Sequence, residues 1–163
     1  VKKLVWLLLA VLILGALDLL PFESREVSAL LPVKTILVMR SGEEYTVDVG
    51  AGVRAVGQSL KEALRRLCEE SPGEVFLPTA EQVVLTEPDD EAIEAVAEET
   101  AFRPAAGICV TPDADPDVEG LGRYLEAHPL DYTVLDLRAA LLEGRKPELP
   151  VVRAVDGGWR VEK

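Results

Sequence analysis

Histidine occurs once in this chain of 163 residues, at His128, and cysteine twice, at Cys68 and Cys109. A Ser-His-Asp or Cys-His relay needs an imidazole base, so it runs through His128 or does not exist. That residue stands in Glu126-Ala127-His128-Pro129, between a helical pattern and a proline, where a solvated loop position is expected. Zinc draws on several Cys or His ligands, and three such residues scattered along the chain do not supply them. The cysteines share no metal-type spacing. Outside the cytoplasm they could bridge, but each lies inside an apolar pattern, and two buried thiols are preferred over a disulfide.

Aromatic residues are also scarce, at 5%, so the core must be built from Val, Leu, Ile and Ala. Basic residues number 17 against 29 acidic ones, a net charge of −12. A nucleic-acid partner is therefore not expected, because binding a polyanion needs a basic stripe that displaces counterions. The acidity reads as a solvated surface. No internal repeat or low-complexity stretch is present.

What is there begins with a greasy run. Lys2 and Lys3 come first, Leu4 to Leu17 carry no charge, and Asp18 precedes Leu19, Leu20 and Pro21. A signal h-region needs about 7–15 apolar residues and a spanning helix roughly 17–25. The run reaches the shorter class easily, and the longer one only if Asp18 is tolerated near the interface. The lysines favour a cytoplasmic start, which exports the remainder. No well-placed small-residue cleavage site follows the run, so retention as an anchor is preferred over removal. The expected organisation is a signal-anchor over residues 1–22 and one extracytoplasmic domain over residues 23–163.

The body alternates. Val27 to Met39 reads as extended and broken at Pro32; Tyr45, Val47 and Val49 alternate with polar residues as in a half-buried strand. Ser59-Leu60-Lys61-Glu62 has the form of a capping box, followed by Leu60, Ala63, Leu64, Leu67 and Cys68 at helical spacing. Val75-Phe76-Leu77 and Val83-Val84-Leu85 are continuous apolar runs, the signature of strands buried on both faces. A second helix follows Pro88 with Ile93, Val96 and Ala97 inward, and Gly107 to Val110 forms another strand. Asp115-Pro116 opens a third helix with Val118, Leu121, Gly122 and Leu125 inward. Thr133 caps a fourth, with Asp136 as the reciprocal acid, and Gly144 ends it. Leu149 to Val155 and Trp159 to Val161 flank Asp156-Gly157 as a hairpin. The fold class is α+β or mixed: a mixed sheet with about four helices packed against it, preceded by the hydrophobic helix.

Two motifs imitate sites without meeting their requirements. Asp113, Asp115, Asp117 and Glu119 alternate like a calcium loop, but Pro116 and Val118 fall where the EF-hand pattern cannot take them. Helix capping by Asp115 explains the cluster better. Gly50-Ala51-Gly52-Val53-Arg54-Ala55-Val56-Gly57 has the wrong spacing for a dinucleotide loop and reads as a flexible turn. No catalytic, cofactor or metal residues are expected, and the chain is not expected to be an enzyme. A pocket gathering His128 with two or more acids would reopen that point.

Several stretches resemble the N-terminal domain of the Ger(x)C family, the C-subunit lipoproteins of bacterial spore germinant receptors. Pro21-Phe22-Glu23-Ser24-Arg25-Glu26-Val27 is similar to that domain's start, Cys-Trp-Asp-Arg-Arg-Glu-Ile. "SLKEALRRLCEESPGEVFLPTAEQVVLTE", Ser59 to Glu87, resembles its helix and following strand; "AFRPAAGICVTPD" and "DLRAALLEGRKPELP" resemble later segments. Pro21 stands where the family carries its lipidated cysteine, so the hydrophobic run itself would hold the membrane. The family's "GHLK" has become Pro78-Thr79-Ala80-Glu81, so no role of that histidine carries over. The family continues through further domains, of which this chain corresponds to one. The resemblance implies a non-enzymatic accessory protein of the cell or spore inner membrane. It would act in germination by docking to receptor subunits or other membrane proteins. The alternative is an envelope structural or ligand-binding module unrelated to germination, with its small-molecule ligand left open.

Overall fold

The computed structural model describes residues 30–71, 73–155 and 158–162. The expected leader, residues 1–22, lies outside them. Among the described residues no helix is long and apolar enough to cross a membrane.

Seven strands form one mixed sheet in the order β4-β3-β2-β6-β7-β8-β9. They are β2 (Thr35–Ser41), β3 (Glu44–Asp48), β4 (Arg54–Gly57), β6 (Gln82–Thr86), β7 (Gly107–Thr111), β8 (Val151–Val155) and β9 (Gly158–Glu162). The centre, β2-β6-β7-β8, is parallel; β3 and β4 on one side and β9 on the other add antiparallel edges. A separate two-stranded parallel sheet pairs β1 (Leu30–Pro32) with β5 (Glu74–Phe76).

Four helices cover the large sheet: α1 (Leu60–Glu70), α2 (Asp90–Glu98), α3 (Val118–Ala127) and α4 (Val134–Leu142). Strand periodicity sorts the core into two layers. Ile36, Val38, Val83, Leu85 and Ile108 face α1, α2 and α4, while Leu37, Val84, Cys109 and Val152 face α3. The central strands are apolar on both faces because both faces are covered, as a parallel sheet requires. The mixed sheet with four packed helices is the architecture expected from the sequence.

Local chemistry accounts for most helix ends. Thr133 and Asp136 form the reciprocal cap of α4, and Gly144 closes it with φ of 67°. Asp89 caps α2 through Ala92 N at 2.8 Å. At α1, Ser59 Oγ accepts from Glu62 N at 3.2 Å, but the Glu62 carboxylate accepts from Gln58 N at 3.0 Å, so the box closes one residue early. Helix α3 begins at Val118, not at Pro116, with Asp117 at its N-cap and no side-chain hydrogen bond there.

Two segments differ from expectation. Residues 50–57 are not merely a loose turn: Gly50, Ala51 and Gly52 take positive φ, and the chain then enters edge strand β4. Its buried residues are Ala55 and Gly57, too small to register as an apolar alternation, while Val56 points outward. Gly57 is required there, since a Cβ would stand 2.5 Å from Ala63 N of α1. The run at Val75 is not a strand buried on both faces either. It pairs only with β1, Phe76 is exposed, and Leu77-Pro78-Thr79 turn into a 3-10 helix.

Candidate functional site

The edge of β7 is shared by two segments. Near its start, Ile108 N donates to Tyr132 O at 3.0 Å and Val134 N to Ala106 O at 2.9 Å. Further along, Val110 N donates to Pro150 O at 2.9 Å, and Val110 pairs with Val151. Pro150 has no N–H, so the β8 ladder cannot continue back toward Ile108. Between the two segments lies a cleft of about 840 Å³, within the range of small-ligand sites.

Its apolar wall comes from Leu130, Leu149, Pro150 and Val161. His128 closes one end. It is the exposed C-cap of α3, its ring stacks on Tyr124 at 4.3 Å between centroids, and Nδ1 lies 3.0 Å from Tyr124 O. Asp136 is committed to the α4 cap, its Oδ2 accepting from Thr133 N at 2.8 Å and from Thr133 Oγ1 at 2.6 Å. Those bonds hold its carboxyl below the usual carboxylate range. Arg145 pairs with Glu143 at 2.6 Å. Burial pushes the Tyr132 phenol up, with Asp136 adding to the shift and Arg145 opposing it. Asp131, Glu148 and Arg160 also line the cleft; Glu148 adds to the upward push on Tyr132, and the three side chains form no ion pair among the described residues.

His128 thus shares a cleft with three carboxylates, the gathering an acid–base site would need. The geometry turns that set elsewhere. One imidazole nitrogen lies against a backbone carbonyl, one ring face is stacked, and Asp136 holds a helix end. What remains uncommitted is a guanidinium and two carboxylates around an apolar wall, a set suited to holding a ligand that carries both charges. The solvated position expected for His128 is found, but the cleft was not anticipated. Its residues come from the α3–α4 connection, α4, the approach to β8 and β9, and no sequence spacing joins these.

The remaining motifs disperse. Asp113 Oδ2 accepts from Ala154 N at 3.1 Å, Asp115 pairs with Arg54 at 3.2 Å, and Glu119 accepts from Ala51 N at 3.2 Å. Asp115 therefore ties the loop to β4 rather than capping a helix. Cys109 is fully buried with a free thiol, as expected, whereas Cys68 is exposed. Cys68 lies eight residues after Leu60, about 80° around the helix, at the edge of the buried stripe. A second cavity of about 460 Å³ runs between α3 and β2, past the ion pair of Lys34 with Glu126.

Compared with known proteins, the chain matches no family model, no curated protein and no solved structure.

Proposed function

We propose that the chain is a membrane-anchored, non-enzymatic accessory module that works by docking, in the manner of the first domain of a germinant-receptor C subunit. The observation that carries this reading is the resemblance to Ger(x)C over Ser59 to Glu87, Ala101 to Asp113 and Asp136 to Pro150. Those stretches contain α1, β6, β7 and most of α4, the middle of the sheet and two helices on one face of it. The hydrophobic run at Leu4 to Leu20 would supply the anchor in place of a lipidated cysteine. Deleting the gene in a spore-forming host and measuring nutrient-triggered germination tests the reading. A germination defect with co-purifying receptor subunits is expected; normal germination without such association overturns it. Recovery of the intact chain from a soluble exported fraction would remove the anchor.

The cleft favours a second reading, a ligand-binding module of the envelope. Arg160, Asp131 and Glu148, all lining the cleft beside its apolar wall, suit a small zwitterionic molecule with an apolar body. Titration calorimetry with short zwitterionic peptides is the test. Binding that Arg160→Ala weakens at least tenfold supports this reading, and no heat from any peptide overturns it.

A further inference from the structure

Helix α3 carries two strips. Val118, Leu121, Gly122 and Leu125 pack on the sheet. Glu119, Gly122, Arg123 and Glu126, at i, i+3, i+4 and i+7, form a neighbouring strip beside the start of β2. That strip and β2 border the cavity of about 460 Å³, which shares no described lining residue with the cleft at β7. Thr35 of β2 lines it, is only 6% exposed, and has a hydroxyl oxygen without a hydrogen-bond partner among the described residues. The oxygen faces the bare side of Gly122, where a Cβ would stand 2.7 Å away. A buried hydroxyl in that state costs free energy that a valine of the same shape would avoid.

The charges around it are unevenly engaged. Lys34 pairs with Glu126, and Glu119 accepts from Ala51 N at 3.2 Å. Arg123 is exposed and in no ion pair among the described residues; its one hydrogen bond there runs from Nε to Glu119 O at 3.4 Å. We propose that this cavity binds a small monocarboxylate with a short apolar body, its carboxylate held by Arg123 and the Thr35 hydroxyl. One guanidinium free of acidic partners neutralises one negative charge, and a planar fork matches the two oxygens of a carboxylate. Glu119 and Glu126 on the same strip disfavour a dianion such as a phosphate monoester. A cation is served less well, because both acids already have donors. Pro32, Val49 and Val118 offer the surface for the hydrocarbon part. The site rests neither on the docking reading nor on the cleft.

The test titrates butyrate into the full chain in nonionic detergent, followed by saturation-transfer NMR. Butylammonium serves as the cationic control and inorganic phosphate as competitor. Butyrate should bind, butylammonium should give no signal, and equimolar phosphate should not displace the butyrate. Arg123→Gln and Thr35→Val should each weaken binding about tenfold. Both should leave the thermal midpoint in place, since Arg123 is exposed and the Thr35 hydroxyl has no partner to lose. Arg160→Ala, in the cleft, should change nothing. No butyrate signal, an equal signal from butylammonium, displacement by equimolar phosphate, or an affinity indifferent to either Arg123→Gln or Thr35→Val overturns the proposal. Loss of binding with Arg160→Ala alone overturns it too, and places the carboxylate in the cleft instead.

Discussion

Arg138 leaves α4 and donates to two carbonyls at the end of α2, Ala97 O and Glu99 O at 2.8 Å each, and to Phe102 O in the turn that follows, at 3.4 Å. A helix end presents unpaired carbonyls and a partial negative charge, and a planar guanidinium answers both. Arg138→Met should cost about 1.5–3 kcal/mol in urea unfolding, because the half-buried carbonyls lose charged donors and gain nothing. Arg138→Lys should recover only part of that, since an ammonium cannot span the fork. Cys109 sits at the other extreme, sealed between the sheet and α3, where burial pushes its thiol up to about 12. In a Cys68→Ser background it should resist thiol reagents until the protein is unfolded. Its acidity also links folding to alkali. The unfolded thiol ionises near 9.0 and the folded one near 12, so the unfolded state alone loses the proton between them. Stability should fall by about 1.4 kcal/mol per pH unit across that window from this group, a slope that Cys109→Ala removes.

The helices differ in how far neighbouring elements constrain them. Helix α4 is defined by its own ends, and Thr133→Ala should cost about 1 kcal/mol by removing the hydroxyl that Asp136 N donates to. Gly144, at φ of 67°, should resist Ala by a similar amount, about 1 kcal/mol. Helix α3 is constrained from outside. Gly122 lies mid-helix, where Ala would ordinarily stabilise by about 1 kcal/mol. Here a Cβ would stand 2.7 Å from the buried Thr35 Oγ1 of β2, so Gly122→Ala should destabilise, by about 1–3 kcal/mol in thermal or urea unfolding. The inward position of Gly122 is readable from helical spacing; the collision with β2 is not, because Thr35 is far away in sequence. Strand β4 shows the same limit. Ala55 and Gly57 carry too little apolar surface to announce a strand, and only α1 lying over them makes small residues the right choice.

At the scale of the whole fold, three of the four described helices begin on a carboxylate held by local donors. Asp89 accepts from Ala92 N and Glu62 from Gln58 N, and Asp136 is held by Thr133. Each carboxyl is thereby lowered from its ordinary value, so its contribution is fully present above the unfolded carboxylate range, about 4, and is lost as pH falls through the folded values. Thermal midpoints followed by circular dichroism should therefore drop as pH is taken below about 4, and Asp89→Asn with Asp136→Asn should flatten that drop. The sheet holds together through other means. Its parallel centre is closed between helices on both faces, and its edge strands β4 and β9 carry Arg54, Arg160 and Glu162, charges that discourage further strand pairing.

By itself the sequence determined most of the elements, though not β4 or the short, exposed form of β5. Period 3.6 in α1 and α3, apolar runs at β6 and β7, the Thr133 cap and the Gly144 stop are all written in neighbouring residues, because backbone hydrogen bonds and caps act within a few positions. Only tertiary structure decided that Tyr132 and Pro150 meet the same edge of β7, that Cys68 is left exposed at the rim of α1, and that His128, Asp131, Glu148 and Arg160 border one cleft. Those outcomes depend on which strand pairs with which and on which face a helix covers. Contacts between distant segments leave no periodic mark in the chain that makes them.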